Sequence, residues 1–356
     1  MHAIDFARLD MGIFDTGPVR PPAVNSFSMS RESTGGRSAA QLEERATALL
    51  PRVEALLAGL AGCYHGSRDE LLVPLVQAGL AGTHVLLEGI PGLGKTLLAR
   101  ALAAGFGGTF SRIQCTPDLM PSDVTGTEIL EDAGGLSFRF REGPIFANVV
   151  LADEINRATP KTQSALLEAM QEGQVSAGGA TRPLPQPFFL IGTQNPVEME
   201  GTFPLPEAQL DRFGLELDVA YPELDTLRVI LDEKSSGDEQ LPAAVLDPAS
   251  ILELRALSHE VIVGPHLRDL VAQVLMATQP GHPSHEGLVK LGASPRAGIA
   301  WLRVARVRAL MAGRFHVTRE DLEELGTFVL GHRVLLGYEA RARQIDVAQL
   351  FRRWWV

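Results

Sequence analysis

One glycine-rich loop constrains this chain more than any other feature of its sequence. Its eight residues, Gly89-Ile90-Pro91-Gly92-Leu93-Gly94-Lys95-Thr96, fit the pattern G-x-x-x-x-G-K-[ST], in which glycines let successive backbone N–H groups turn toward a phosphate. The apolar run His84-Val-Leu-Leu-Glu before the loop predicts a buried strand, and Leu97 to Phe106 after it predict a helix. A strand, a glycine-rich loop and a helix in this order predict a nucleotide-phosphate site in an α/β fold.

The scarcity of lysine makes this match rare by chance. Of the 356 residues, 32 are Lys or Arg, and only four of those are lysine. A shuffled chain of such composition contains the motif in fewer than about 1% of cases. We expect Lys95 to contact the β- and γ-phosphates of ATP, Thr96 to bind Mg²⁺, and the helix that begins at Lys95 to direct its positive N-terminal end at the phosphates. The residues expected to contact the nucleotide are Gly89, Pro91, Gly92, Leu93, Gly94, Lys95, Thr96 and Leu97.

Two later apolar runs end in polar residues that suit the same site. Asn148 to Ala152 leads into Asp153 and Glu154, where Asp153 would hold the hydration shell of Mg²⁺ and Glu154 would orient and deprotonate the attacking water. Phe188 to Gly192 leads toward Asn195, whose amide would reach the γ-phosphate or that water. Acids and Asn-Pro pairs also occur at ordinary strand ends, so these assignments depend on the strands lying beside the phosphate loop.

The order of the predicted elements divides the chain into three parts. Residues 1–38 are rich in Pro, Gly and Ser without an apolar period and predict a disordered tail. Residues 39–221 alternate short apolar runs with helix-sized intervals, which predicts a parallel sheet covered on both faces. After Tyr221 the strands are expected to stop, so residues 222–356 are predicted to form a smaller domain of helices only.

Two intervals in the α/β part predict β-hairpins. Thr127 to Phe140 contains the turn sequence Asp132-Ala-Gly-Gly, and Gln174 to Leu184 turns at Gly178-Gly179. In the third part, Asp247 is expected to cap one helix, and Thr318 with Asp321 forms a capping-box pattern for another.

Charge and cysteine content limit the partners and the compartment. The formal net charge of −11 argues against broad contact with nucleic acid, whose backbone is bound by cationic side chains. Two cysteines are too few for a disulfide framework and fit a reducing compartment. No uninterrupted apolar run reaches about 18 residues, and residues 1–11 do not combine a basic segment with an apolar one. These observations predict a cytoplasmic protein without a membrane segment.

Two further groups of residues are predicted to be structural. His282 and His285 lie in a Pro-rich stretch with no further ligands near them in sequence, which disfavours a metal pair. The C-terminal segment is basic and aromatic, with Arg341, Arg343, Arg352 and Arg353 beside Trp354-Trp355. This predicts an amphipathic end segment that docks on the protein itself or on a neighbour, with nucleic acid as the lesser alternative.

Spacing alone gives no role to Arg212 or Arg296, because 28 of the 32 basic residues are arginine and most arginines lie on surfaces. Several blocks of the chain, however, resemble the MoxR family of AAA+ ATPases, and the resemblance extends over about residues 45 to 345. The blocks are Leu86–Thr96, Ile113–Gly126, Gly143–Asn148, Ala152–Met170, Thr193–Pro196, Glu207–Phe213 and Ala293–Ala297.

This resemblance implies a P-loop NTPase domain of the AAA+ type, an αβα parallel-sheet domain followed by a smaller all-helical lid. It implies ATP hydrolysis with Mg²⁺ at Thr96 and Asp153. It assigns Arg212 as an arginine finger that reaches the γ-phosphate of a neighbouring subunit, and Arg296 as a second nucleotide sensor on the lid. It also identifies residues 127–140 as an insertion hairpin that faces a central pore. A finger acting on a neighbour requires head-to-tail contacts, which predicts a homo-oligomeric ring, a hexamer.

The resemblance further implies a chaperone-like remodeller of protein clients, acting in complex or metalloenzyme maturation beside a von Willebrand factor A-domain protein. Two other functions stay open. A DNA-associated AAA+ motor would show salt-dependent stimulation by DNA, and the charge of −11 disfavours it. A nucleotide-gated scaffold with little hydrolysis is disfavoured by the joint presence of Asp153, Glu154, Asn195 and Arg212.

Overall fold

The computed structural model of the protein describes residues 39–132, 136–195, 202–235, 240–285 and 287–355. The predicted N-terminal tail, residues 1–38, lies outside the described residues. So do residues 133–135 in the turn of the first hairpin and residues 236–239 in the charged stretch after Tyr221.

Helices surround one central sheet, and further helices follow it along the chain. The helices are α1 (Ala39–Cys63), α2 (Val73–Ala81, after a π-helical turn at Arg68–Leu72), α3 (Lys95–Gly105), α4 (Pro121–Thr125), α5 (Pro160–Glu172), α6 (Glu207–Leu210), α7 (Leu224–Ser235), α8 (Pro248–Glu260), α9 (Pro265–Ala277), α10 (Pro295–Met311), α11 (Arg319–Glu323), α12 (Gly326–Leu330), α13 (Tyr338–Ala342) and α14 (Val347–Trp354). The strands are β1 (Val85–Glu88), β2 (Phe110–Gln114), β3 (Gly126–Asp132), β4 (Leu136–Glu142), β5 (Val149–Asp153), β6 (Gln174–Ala177), β7 (Ala180–Pro183), β8 (Phe189–Gln194), β9 (Leu215–Asp218), β10 (Val289–Leu291) and β11 (Leu335–Leu336).

The central sheet has five parallel strands in the order β2-β5-β8-β1-β9. Strand β1 lies between β8 and β9, with Val85 opposite both Ile191 and Leu215. Because the strands are parallel, their carboxyl ends meet along one side of the sheet, here called the carboxyl edge. The other side, where β9 begins, is the amino edge. The three predicted polar strand ends therefore lie side by side at the carboxyl edge.

The central strands β1, β5 and β8 are buried on both faces, which explains their nearly continuous apolar runs. Along β1, Val85 and Leu87 belong to one hydrophobic cluster and Leu86 to the other, as the alternation of side chains in a strand requires. The first cluster contains side chains of α1, α2, α3 and the C-terminal helices, and the second contains side chains of α5. The predicted parallel sheet with helices on both faces is confirmed.

The structure adds strands that the sequence pattern did not predict. Strand β9 has only four residues, two of them acidic, and completes the sheet beside β1. The expectation that strands stop after Tyr221 is wrong in one respect, because β10 and β11 form a small antiparallel pair among the C-terminal helices. These strands have three and two residues, too few for a recognisable period. The fold class, an α/β domain followed by a helical lid, is otherwise confirmed.

Both predicted hairpins are present, β3 with β4 and β6 with β7. On the first hairpin, Leu130 and Phe138 are cross-strand neighbours and remain 55% and 75% exposed. Nearer its base, the Arg182 guanidinium lies over the ring of Phe140, 3.7 Å from the ring centroid. The first hairpin therefore carries an exposed apolar pair beyond an anchored base.

The C-terminal segment packs against the lid, which confirms the predicted docking on the protein itself. The ring of Trp355 lies 5.9 Å from that of Trp301 and 5.3 Å from that of Phe351, centroid to centroid. His285 is buried against Trp354, and its Nε2 donates to the carbonyl oxygen of Gln279 at 2.9 Å. The caps predicted at Asp247 and Thr318 are also present.

Gln41–Cys63 contains no uninterrupted apolar run of the length needed to cross a membrane. Judged by its mean hydropathy, however, this helical stretch is long and apolar enough to span one. In the described structure, Leu56, Leu57 and Leu60 of this helix are buried in the first hydrophobic cluster. A core helix passes the same length and composition test.

Candidate nucleotide site

The glycine-rich loop connects β1 to α3 with two glycines in the left-handed backbone region. Gly92 has φ 88°, and Gly94, the N-cap of α3, has φ 77°, values that L side chains rarely adopt. The ammonium of Lys95 donates to the carbonyl oxygens of Gly89 and Ile90, the latter at 3.2 Å. Burial lowers the pKa of Lys95, and three nearby carboxylates act in the opposite direction. The loop therefore brings a cation and a helix N-terminus to one place, as phosphate binding requires.

Contacts with neighbouring segments fix this loop. The N–H of Gly89 donates to the carbonyl oxygen of Gln194 at 3.3 Å, and a Cβ at position 89 would meet the Val219 carbonyl oxygen at 2.7 Å. The hydroxyl of Tyr64 donates to the carbonyl oxygen of Leu93 at 3.0 Å. Burial raises the pKa of Tyr64 to about 12, so its hydroxyl remains a donor at neutral pH. Tyr64 was not predicted, because no motif surrounds it in the sequence.

At the end of β5, both carboxylate oxygens of Asp153 accept hydrogen bonds. Oδ1 accepts from the Thr193 hydroxyl at 2.7 Å. Oδ2 accepts from Arg112, at 3.1 Å from Nε and 2.6 Å from Nη2. The Thr193 hydroxyl oxygen also accepts the backbone N–H of Glu154 at 2.8 Å. Thr193, which is fully buried, therefore links the carboxylate of one predicted acid to the backbone of the other.

Glu154 follows β5 in an unusual backbone conformation, with φ 56° and ψ 51°. For a residue with a side chain this left-handed conformation costs roughly 1–2 kcal/mol, and such strain concentrates at functional sites. The carboxylate accepts from Arg157 at 3.0 Å and from the Gln114 side-chain amide at 3.5 Å. The carboxylate is thus held at the carboxyl edge by side chains from β2 and from the turn after β5.

The other predicted residues lie around the same edge. Thr96 is in the first turn of α3, and within the described part of the chain its hydroxyl makes no hydrogen bond. Asn195 directly follows β8, whose Gln194 pairs with Glu88 at the end of β1. Pro91 is exposed in the loop, and Leu97 is half-buried in α3.

The donor set at this edge suits Mg²⁺ that arrives with phosphates. Mg²⁺ prefers oxygen ligands, keeps several waters, and is usually bound through one or two carboxylates together with phosphate oxygens. The Thr96 hydroxyl and the Asp153 carboxylate supply such oxygens. Among the described residues no group of three or more His, Cys, Asp and Glu side chains could hold a metal ion. The fit is therefore to a cation shared with a nucleotide.

Glu88, at the end of β1, and Glu216, on the neighbouring strand β9, form a carboxyl pair. Burial, together with the nearby carboxylates of Glu88 and Asp218, raises the pKa of Glu216 to about 8, and Arg333 acts in the opposite direction. Burial also raises the pKa of Glu88, while a hydrogen bond from Glu216 counteracts this. The raised pKa of Glu216 keeps a proton on this pair at neutral pH.

Arg212 lies at the amino edge of the sheet, just before β9. The N–H of Gly214 donates to the carbonyl oxygen of His84, which immediately precedes β1, at 2.7 Å. The guanidinium of Arg212 donates to the Leu167 carbonyl oxygen at 3.3 Å and to the side chain of Gln171, both on α5. The four residues of β1 separate this edge from the phosphate loop by about 13 Å. Arg212 is therefore directed at partners far from the phosphate loop of its own chain.

Arg296, at the start of α10, lies beside the same segment. Its guanidinium is 4.0 Å from the carboxylate of Asp211. Asp211 also accepts the Ser294 hydroxyl at 2.8 and 2.9 Å and Nε of Arg333 at 2.9 Å. Buried Arg333 donates in addition to carbonyl oxygens of the segment before β9. The structure thus brings Arg212 and Arg296 together at the amino edge, and the other predicted residues together at the carboxyl edge.

Comparisons with known proteins agree with this geometry. Residues 84–215 match the family model of the ATPase family associated with various cellular activities (AAA), and residues 284–354 match an AAA lid domain. The chain is 46% identical to the protein YeaC of Bacillus subtilis over 291 residues, 81% of this chain and 88% of that protein. It is 44% identical to Chaperone MoxR1 of Mycobacterium tuberculosis over 283 residues, 78% of this chain and 74% of that protein. The chain belongs to the MoxR family of AAA+ ATPases.

A solved structure extends the likeness beyond the sequence. A crystal structure from Cytophaga hutchinsonii, 35% identical, matches this MoxR-family chain with a TM-score of 0.82 over 90% of this chain and 98% of that one. Membership of the MoxR family makes the chain a nucleotide-binding enzyme that hydrolyses ATP. The resemblance drawn from the sequence blocks is confirmed.

Proposed function

We propose that this MoxR-family ATPase works as a closed hexameric ring in which each nucleotide is hydrolysed between two subunits. The observation that carries the proposal is the position of Arg212, at the amino edge, with the sheet between it and its own phosphate loop. An arginine on that side can serve only a nucleotide held by a neighbour. Repeating the contact from subunit to subunit is a head-to-tail arrangement, which closes into a ring when the rotation allows.

The carboxyl edge supplies the groups that bind ATP and Mg²⁺ and that activate the attacking water. Lys95 would leave the carbonyl oxygens of Gly89 and Ile90 for the β- and γ-phosphates, and the turned backbone of the loop would enclose them. Thr96 and Asp153 would hold Mg²⁺, which when bound neutralises charge on the phosphates. We assign Glu154 as the base that orients the attacking water and takes its proton.

The remaining polar residues complete this chemistry. Asn195, beside the loop, would contact the γ-phosphate or the water. Arg212 would neutralise charge that develops on the phosphate oxygens of the neighbouring nucleotide, an effect of about 10³ to 10⁵ in rate. Arg296 shares the amino edge with Arg212 through Asp211, which supports a role toward the same neighbouring nucleotide.

The free energy of ATP hydrolysis is proposed to drive the remodelling of a protein client in the cytoplasm. One relative is named a chaperone, and the acidic charge of −11 favours proteins over nucleic acid as clients. The exposed pair Leu130 and Phe138 on the insertion hairpin offers an apolar contact for a client chain. We expect a von Willebrand factor A-domain protein as partner, in the maturation of a complex or a metalloenzyme.

Glu154→Gln tests the assignment of the base and captures partners in one experiment. Glutamine keeps the size of the side chain but cannot accept the proton, so ATP binding should persist while turnover falls at least about 100-fold. Partners retained by this variant in ATP, and released in ADP, would be identified by mass spectrometry. Unchanged turnover would contradict the role of Glu154, and retention of DNA without protein partners would contradict the client assignment.

A further inference from the structure

Arg303, on helix α10, lies in the same groove as the two arginines of the amino edge. The groove has a volume of about 270 Å³, and its lining includes Arg212, Arg296 and Arg303. Arg296 and Arg303 are seven residues apart, two turns of α10, and therefore lie on one face of that helix. Neither the sequence pattern nor the family resemblance assigns a role to Arg303.

Arg303 has no protein partner of its own in the part of the chain that the structure describes. There it makes no ion pair and no hydrogen bond through its side chain, and it is exposed. By contrast, Arg308, five residues further along α10, pairs with Asp321 and Glu324. Arg306 on the same helix also makes no ion pair or side-chain hydrogen bond among the described residues, but it lies outside the groove lining. Arg303 is therefore distinguished by facing the groove without a carboxylate paired to it.

The acid that lines the groove is already engaged. Asp211 accepts hydrogen bonds from Ser294 and Arg333, and Arg296 reaches it only at 4.0 Å. Arg212 has neutral partners, a backbone carbonyl and an amide side chain. The groove therefore holds more positive charge than its own carboxylate compensates.

The positive charges near Arg303 also favour an anion in the groove. Burial lowers the pKa of Arg255, and the charge of Arg303 lowers it further. Arg255 is itself committed to the end of α2, where it donates to the carbonyl oxygens of Leu80 and Gly79. Like charges near one another repel, and an anion bound among them would offset that repulsion.

We propose that Arg303 is a third arginine that each subunit supplies, with Arg212 and Arg296, to the nucleotide phosphates of its neighbour. This inference rests on the proposed ring. Guanidinium groups suit phosphate oxygens because their planar N–H donors match them in pairs. The phosphates of the same subunit are excluded as ligands, since they would lie at the carboxyl edge, beyond the four residues of β1.

Steady-state hydrolysis by the full chain tests the proposal. Loss of one charged contact to a phosphate should lower kcat/KM of Arg303→Ala about 10- to 100-fold, and Arg303→Lys, which keeps the charge, should recover part of the loss. Arg268→Ala is the matched control, because it removes an exposed arginine from α9, outside the groove lining, and should stay within about twofold of the unaltered protein. Sedimentation with ATP should show the same assembly for all variants.

Mixing separates this inference from the proposed ring. Arg303→Ala combined with Lys95→Ala should regain activity, because Lys95→Ala subunits supply an intact Arg303 to neighbours with an intact loop. Arg212→Ala combined with Lys95→Ala is run in parallel. If activity recovers in the Arg212→Ala mixture but not in the Arg303→Ala mixture, the role proposed for Arg303 is overturned and the ring is not. If activity recovers in neither mixture, the proposed ring is overturned as well. Unchanged activity of Arg303→Ala, or a loss that follows failed assembly, also overturns the role proposed for Arg303.

Discussion

Replacing Thr193 by valine removes one hydroxyl from the floor of the nucleotide site and keeps nearly the same shape. That hydroxyl donates to Oδ1 of Asp153 at 2.7 Å and accepts the N–H of Glu154 at 2.8 Å. Through this hydroxyl, strand β8 contacts both Asp153 at the end of β5 and Glu154 directly after it. The Thr193→Val variant therefore tests whether this link matters for stability and for turnover.

The expected loss follows from the two hydrogen bonds. A hydrogen bond to a carboxylate contributes about 1.5–3 kcal/mol, and a buried N–H left without an acceptor costs about 1–3 kcal/mol. Arg112 still donates to the other oxygen of Asp153, so the carboxylate keeps those hydrogen bonds. We expect the free energy of unfolding to fall by about 2–4 kcal/mol in Thr193→Val.

Turnover should respond more strongly than nucleotide affinity. Without its acceptor, the strained backbone of Glu154 can relax and displace the carboxylate, and a displacement of about 1 Å costs about 100-fold in rate. Lys95 and the phosphate loop make no contact with Thr193 through hydrogen bonds within the described structure. The kcat should therefore fall about 100-fold while KM changes little.

Urea unfolding and steady-state phosphate release measure the two effects. Thr193→Ser keeps the hydroxyl and should retain most of the stability and most of the turnover. Thr162→Val is the matched control, since this buried threonine donates to the neutral carbonyl oxygen of Leu119 at 2.7 Å and its loss should cost about 1 kcal/mol with kcat unchanged. The reasoning is refuted if Thr193→Val turns over at the normal rate, or if Thr193→Ser is as impaired as Thr193→Val.

Three further outcomes are expected. Tyr64→Phe removes the hydroxyl that donates to the Leu93 carbonyl oxygen. One lost hydrogen bond of about 1 kcal/mol should raise KM for ATP about 5-fold without changing kcat. An unchanged KM in initial-rate assays would contradict this. Because the pKa of Glu216 is raised to about 8 in the folded chain, its contribution to stability is present at acidic pH and is lost as pH rises through 8, with a slope of up to about 1.4 kcal/mol per pH unit. Denaturation midpoints measured from pH 6 to 9 should show this fall in the unaltered protein and a smaller one in Glu216→Gln, and equal slopes would argue against the carboxyl pair. In Gly326→Ala, the new Cβ would meet the ring of Phe351 at 2.1 Å, so the melting temperature should drop by the equivalent of about 1–3 kcal/mol, and calorimetry showing no drop would contradict that packing.

The sequence predicted the carboxyl edge of the site because its residues belong to motifs tied to strand ends. The phosphate loop follows β1, the two acids lie at the end of β5, and Asn195 follows β8. Parallel strands place all three ends together. Strand order was not predictable from the same information. The link from Thr193 to Asp153 depends on β5 and β8 being neighbours, and no local pattern expresses that.

Other features were missed because their local signals are weak. Strand β9 has four residues with alternating acids, which resembles an exposed loop as much as a strand. Tyr64 contacts the loop across 29 positions of sequence, so only the tertiary structure reveals it. Arg303 is one of 28 arginines, and only its place in the groove, without a carboxylate partner among the described residues, distinguishes it.

In the proposed ring, a nucleotide held by one subunit is completed by an arginine of the next. Activity of mixtures tests it most directly: Arg212→Ala and Lys95→Ala are each prepared separately, combined in varying proportions, and assayed for ATP hydrolysis. Each variant alone should be nearly inactive, and mixed rings should regain turnover where an intact loop meets an intact Arg212. A mixture no more active than the sum of its two components would contradict the claim.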